Sequence, residues 1–176
     1  PDVPAWLQDK LEDIKNYVSN LLEVQNGENY AFKLLSCILT TYKEDALPIS
    51  PTLIEKLVDL PFTEEYKECF VSYSRIEGAL KENSNLSNLL FKKIESEICN
   101  GKATLSLKFI SELPPEVFSS NSMKIADEVS KNYRSEDVET RCQVPPAIYN
   151  ILSICDPNQA EKMKLQLMQS AVNDAD

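Results

Sequence analysis

An all-α fold is what this sequence predicts, on three observations. Apolar residues recur at three- and four-residue spacing along nearly the whole chain, the pattern of one buried helical face. Prolines and cap residues interrupt that pattern at short intervals, so the segments read as helices of ordinary length. Only Gly27, Gly78 and Gly101 are glycines among 176 residues, too few for the hairpins of an all-β protein. With 43% apolar residues, seven Tyr and six Phe, the chain carries enough apolar surface to offset the entropy of ordering it.

The first helix begins at Pro4, which suits a first helical position, and carries Leu7, Leu11, Ile14, Val18, Leu21 and Leu22 until Asn26-Gly27 ends it. A second, from about Glu28 to Lys43, has Ala31, Leu34, Leu35, Ile38 and Tyr42 on one face. Phe32, Cys37 and Leu39 widen its apolar arc, which predicts a central helix. Ser50-Pro51 caps and opens a third, with Leu53, Ile54, Leu57 and Val58, that stops before Pro61. Thr63 caps a helix read through Glu82 along Tyr66, Cys69, Phe70, Tyr73, Ile76 and Leu80, with Gly78 marking a close helix contact or a bend.

Ser84 or Asn85 opens the next helix, with Leu86, Leu89, Leu90, Ile94 and Ile98, closed by Asn100-Gly101. Residues 103–113 fit both alternation and a helical stripe; helix is favoured because no second strand is on hand to pair. Pro114-Pro115 ends that element and allows a short turn through Phe118. Asn121 or Ser122 then caps a helix with Ile125, Ala126, Val129 and Tyr133. A short helix is expected from Ser135–Asp137 to about Cys142, and a separate one after Pro145-Pro146 with Ile148, Ile151, Leu152 and Cys155. Asp156-Pro157 opens the last, with Ala160, Met163, Leu167, Met168, Ala171 and Val172, frayed from Asn173 onward.

The expectation is therefore one domain over residues 1–176, of eight to ten helices joined by short connections, and, lacking an initiator Met, a piece of a longer chain. Three helix starts share a form: Pro4-Ala5-Trp6-Leu7, Pro51-Thr52-Leu53-Ile54 and Pro146-Ala147-Ile148-Tyr149. Their spacing resembles the 40–47-residue period of HEAT and armadillo helix-pair repeats. The resemblance implies a short right-handed stack, with a compact irregular bundle as the alternative, because the unit expected near Ile98 has no proline.

Chemistry is narrowed by what is missing. There is no histidine, which removes the commonest general base and metal ligand. No Gly-rich phosphate loop, C-x-x-C or G-x-S-x-G occurs. The carboxylate groups Glu64-Glu65 with Glu68, and Glu136-Asp137 with Glu139, lie in or near first helical turns, where they complement the helix dipole. The cysteines Cys37, Cys69, Cys99, Cys142 and Cys155 read as buried reduced thiols, which points to the cytoplasm or nucleus. Tyr66, Tyr73, Tyr133 and Tyr149 read as core edges. Neither a cofactor nor a metal site is expected, and no apolar run approaches a membrane span.

The formal charge of −10 disfavours direct contact with nucleic acid, for which Lys92, Lys93, Lys102, Lys108, Lys124, Lys131, Arg134 and Arg141 are the only clustered cations. Residues 1–88 hold 8 basic and 15 acidic side chains, a net −7, so a basic protein partner suits that half. The reading is a non-enzymatic interaction or scaffold module of an intracellular complex that docks a basic or apolar helical segment beside an acidic rim. Its candidate contacts are Trp6, the lone tryptophan; Glu64, Glu65 and Glu68; and Leu107 and Leu165, which stand off their helical stripes. A helical enzyme using carboxylates and a nucleic-acid-associated subunit are the alternatives.

Overall fold

The computed structural model describes residues 5–173, with the side chains of the last helix described up to Leu165 and at Met168. The expectations placed on Pro4, on the side chains of Leu167, Ala171 and Val172, and on the end beyond Asn173 lie outside the described residues. Among those described there are ten α-helices, three 3₁₀ turns and no strand. By its contacts the chain divides into two compact units, 1–89 and 90–176.

In the first unit, α1 (Ala5–Leu21) buries Leu11, Val18 and, unexpectedly, Lys15. The Lys15 ammonium is held by Glu12 Oε1 at 2.7 Å and the Pro48 carbonyl at 2.9 Å, which makes its burial tolerable. The helix ends five residues before the expected stop, and turns carry the chain to Gly27. A Cβ at Gly27 would stand 1.9 Å from the Leu21 carbonyl oxygen, so only glycine lets the chain return this tightly. Gly27→Ala is expected to lower unfolding free energy by about 2–3 kcal/mol, read from the urea midpoint.

α2 (Glu28–Tyr42) is the central helix its wide apolar arc implies: it buries Ala31, Phe32, Leu35, Ile38 and Leu39 and packs on both α1 and α4 (Glu64–Ser74). α3 (Pro51–Asp59) starts where expected, with Ser50 Oγ accepting from the Leu53 amide at 3.2 Å. Thr63 Oγ1 likewise accepts from Tyr66 N–H at 3.2 Å to start α4. The helix read through Glu82 is in fact interrupted. α4 stops at Ser74, Gly78 adopts φ +88°, and α5 (Ala79–Glu82) follows. A Cβ at Gly78 would meet nothing within 4 Å, so this glycine makes a bend and not a close helix contact.

Residue pairs across these helices run in step. Lys33 pairs with Glu65, Phe32 packs on Tyr66 and Phe70, and Leu39 and Lys43 share a cleft with Ser72 and Arg75, so α2 and α4 are parallel. Lys15 reaches Pro48, and Glu23, just beyond α1, reaches Lys56, so α1 and α3 run parallel too. Phe32, Phe62, Tyr66 and Phe70 form the aromatic centre of this unit, with neighbouring ring centroids 4.6–6.5 Å apart.

The boundary between the units falls inside α6 (Leu86–Cys99). In the second unit, the ambiguous stretch is helix α7 (Ala103–Glu112), followed by the 3₁₀ turn Pro115–Phe118, α8 (Ser122–Lys131), α9 (Val138–Leu152) and α10 (Pro157–Asn173). The pair of helices expected around Pro145-Pro146 is one continuous helix, α9, with both prolines inside it. The third repeat start at Pro146 is therefore no helix start. What holds α9 together is its packing: it is the hub of this unit, lying against both α7 and α8 and burying Thr140, Val144, Ala147, Ile148 and Ile151. Thr104 bonds to Asp137 and Thr140 at one end of α7, and Asn150 reaches the Ile110 and Leu113 carbonyls at the other, so α7 and α9 are parallel. Thus α2 with α4, and α7 with α9, each two apart in the chain, lie side by side in the same direction.

Candidate interaction surface

The sequence-selected residues scatter. Trp6 is 67% exposed on α1 and Leu165 52% exposed on α10. Leu107 is fully buried and presents nothing to a partner. It stands off a single stripe because α7 is covered on more than one side, burying Ser106, Leu107, Phe109 and Ile110. Glu64 and Glu68 are exposed on α4, with Glu65 half-buried between them. Two of the three already have cations, as Glu64 lies 3.4 Å from Lys67 and Glu65 3.4 Å from Lys33. The Glu65 carboxyl is held below its ordinary range chiefly by its own backbone N–H, with burial opposing and Lys33 assisting.

The thiols depart from the expected burial. Cys69 is buried, and desolvation pushes its pKa up to about 12, which keeps it an inert thiol. Cys37, Cys99 and Cys142 are exposed and Cys155 half-buried; all five are free. Tyr66 and Tyr73 lie deeper than the core edge expected for them, fully buried, whereas Tyr149 is 80% exposed. Met168, expected inside, is 66% exposed.

Tyr149 belongs to the surface that the sequence reading missed. Val138, Cys142, Pro145, Pro146 and Tyr149 recur on one face of α9, and all are exposed. Residues 142–155 hold no charged side chain, in a chain of net charge −10. From Cys142 onward the ridge is thus a helical face without charge, turned to solvent. That uncharged run was the available signal; breaking the helix at the prolines hid the common face.

α9 is a firm support for this ridge. At its start, Asp137 accepts hydrogen bonds from the Glu139 and Thr140 amides at 3.2 and 2.9 Å, from the Thr140 hydroxyl at 2.6 Å and from Thr104 at 3.2 Å. Near its end, Asn150 Nδ2 donates to the Ile110 and Leu113 carbonyls at 2.7 and 2.8 Å, satisfying the last turn of α7. The Thr140 hydroxyl and backbone, chiefly, hold the Asp137 carboxyl below its ordinary pKa of 3.8. A carboxylate lowered in the folded state stabilises the fold above its unfolded pKa, and that contribution disappears as pH falls through the folded value. Thermal melts from pH 5 down to pH 2 should therefore fall more steeply for the wild type than for Asp137→Asn, with the variant the less stable of the two at pH 7.

The clefts offer less. One of about 390 Å³ in the first unit is lined by Leu39, Thr40, Lys43, Glu44, Ser72, Arg75 and Ile76. Its two cations sit at the C-terminal ends of α2 and α4, where positive charge complements exposed carbonyls. Among the described residues, no three Asp, Glu or Cys side chains are placed to hold a metal ion. No helix of the described residues is long and apolar enough to cross a membrane.

Comparison with known proteins adds no relative: no family model, curated protein or solved structure matches this chain significantly. What is defined is the class, an all-α protein.

Proposed function

We propose that this chain is a non-enzymatic protein–protein interaction module of an intracellular assembly, acting as one helical domain. The observation that carries the reading is the exposed, uncharged ridge of α9, centred on Tyr149 at 80% exposure. An exposed aromatic among apolar neighbours, on a helix anchored at both ends, is the usual make-up of a docking hot spot. The parallel pairs α2 with α4 and α7 with α9 are of the kind that a stack of helical pairs contains, and a compact bundle accommodates them equally. The net charge of −10 favours encounter with a basic partner.

The test is comparative capture from cell extract with the full chain. The variant Val138→Asp with Tyr149→Asp, both at exposed positions, should lose a partner that the wild type retains while its melting temperature stays within about 2 °C. Retention of the same partners by both proteins would remove the ridge from the function.

A further inference from the structure

Pro145 and Pro146 are consecutive, interior to α9, and both exposed. Neither has an N–H, so the carbonyls of Arg141 and Cys142 forgo the helix bond that residues four further on would donate. Carbonyls in a helix point toward its C-terminus, which sets these two oxygens beside the exposed proline rings. Side chains in a helix lean toward the N-terminus, and the exposed Tyr149 stands one turn further along the same face. The guanidinium of Arg141 does not cover the notch, because it is turned back to donate to the Ser135 and Glu136 carbonyls at 2.6 and 3.0 Å.

We infer that this notch, two unsatisfied carbonyl acceptors walled by Tyr149 and the proline rings, receives an arginine side chain from the docked partner. The inference rests on the α9 ridge being a docking surface and names the group it selects. Charge complementarity identifies the occupant. Helix carbonyls are partial negative charges, residues 142–155 supply no cation to them, and the whole protein carries −10. Apolar side chains alone would bury both oxygens without a donor, which costs affinity. A guanidinium brings several N–H groups in one plane, can serve two adjacent acceptors at once, and stacks on an aromatic ring in a way that an ammonium does not match.

The test is a titration of the isotope-labelled full chain with the peptide acetyl-Leu-Arg-Leu-amide, followed by amide chemical shifts. Saturable shifts should map to residues 141–149, and the analogue with norleucine in place of arginine should bind roughly fivefold or more weakly. Pro145→Ala with Pro146→Ala restores both N–H donors and should abolish that preference, with a circular-dichroism melt confirming the fold. Tyr149→Leu should reduce it. Equal affinity for the two peptides, shifts lying elsewhere, or a preference that survives the double proline change would overturn the inference. If the peptides bind equally while the aspartate variant of the ridge still loses its captured partner, the arginine notch falls and the docking surface stands. If the arginine preference maps to the notch while that variant keeps every partner, the notch stands and the docking function falls.

Discussion

Phe70→Ala is expected to lower unfolding free energy by about 3–5 kcal/mol, enough to consume a third or more of the stability of an ordinary domain. Phe70 is 1% exposed, and its ring centroid lies 4.6 Å from Tyr66 and 6.5 Å from Phe32. Three terms add in the same direction. The ring loses its transfer out of water, the space it filled cannot be closed by side chains anchored on both α2 and α4, and two edge or tilted ring contacts disappear. Relief by movement is restricted, because α2 and α4 are also joined by Lys33 and Glu65 on their margin. Urea melts followed by far-ultraviolet circular dichroism measure the change, with Tyr149→Ala, at an exposed position, as a control expected within about 0.5 kcal/mol of wild type. A loss below about 1.5 kcal/mol for Phe70→Ala would mean that the aromatic centre is loosely packed and the first unit is stabilised elsewhere.

What the sequence could say about this fold followed from how local each signal is. Ser50, Thr63 and Asp156 were readable as helix starts because a side-chain oxygen and an amide two or three residues away settle the matter between them, and each makes that bond. Gly78 was readable as an interruption but not as the end of α4, since a glycine's cost inside a helix is small enough for packing to decide. Periodicity identified stripes without saying which of them meets a partner within the fold. Cys142 and Tyr149 sit at faultless helical spacing on an exposed face, while Leu107 sits off its stripe in a helix covered nearly all round. Neighbouring elements determine such burial, and they are distant in sequence.

The acidic candidates show a related limit of local signals. Charge counts place acids in the first half of the chain, but Glu64 and Glu65 turn out to have lysines, one from their own helix and one from α2. Only the pairing made in the folded chain separates a carboxylate engaged within the fold from one offered to solvent. Glu68, in contrast, keeps its exposed position.

The largest error, the division of α9 at its prolines, leads to the second large effect. Replacing Pro145 and Pro146 together by Ala is expected to raise unfolding free energy by about 2 kcal/mol or more. Each interior proline costs a helix about 3 kcal/mol relative to Ala, and restricting the unfolded chain returns only about 0.4–1 kcal/mol per residue. Neither ring is buried, so removing it opens no cavity in the α7–α9 contact. A helix fixed at Asp137 and Asn150 stays in place when its middle becomes regular. The packing of Val144, Ala147, Ile148 and Ile151 already sustains α9 against the prolines, and relieving them should add to that margin. Thermal and urea melts of the double variant decide the point. A gain means that the wild-type chain carries two exposed residues that weaken its own central helix, and such a cost, retained on a bare uncharged face, is the mark of a surface shaped for recognition. A loss of stability would instead make the prolines part of how α9 seats on its neighbours, and the case for the notch would have to stand on the titration alone.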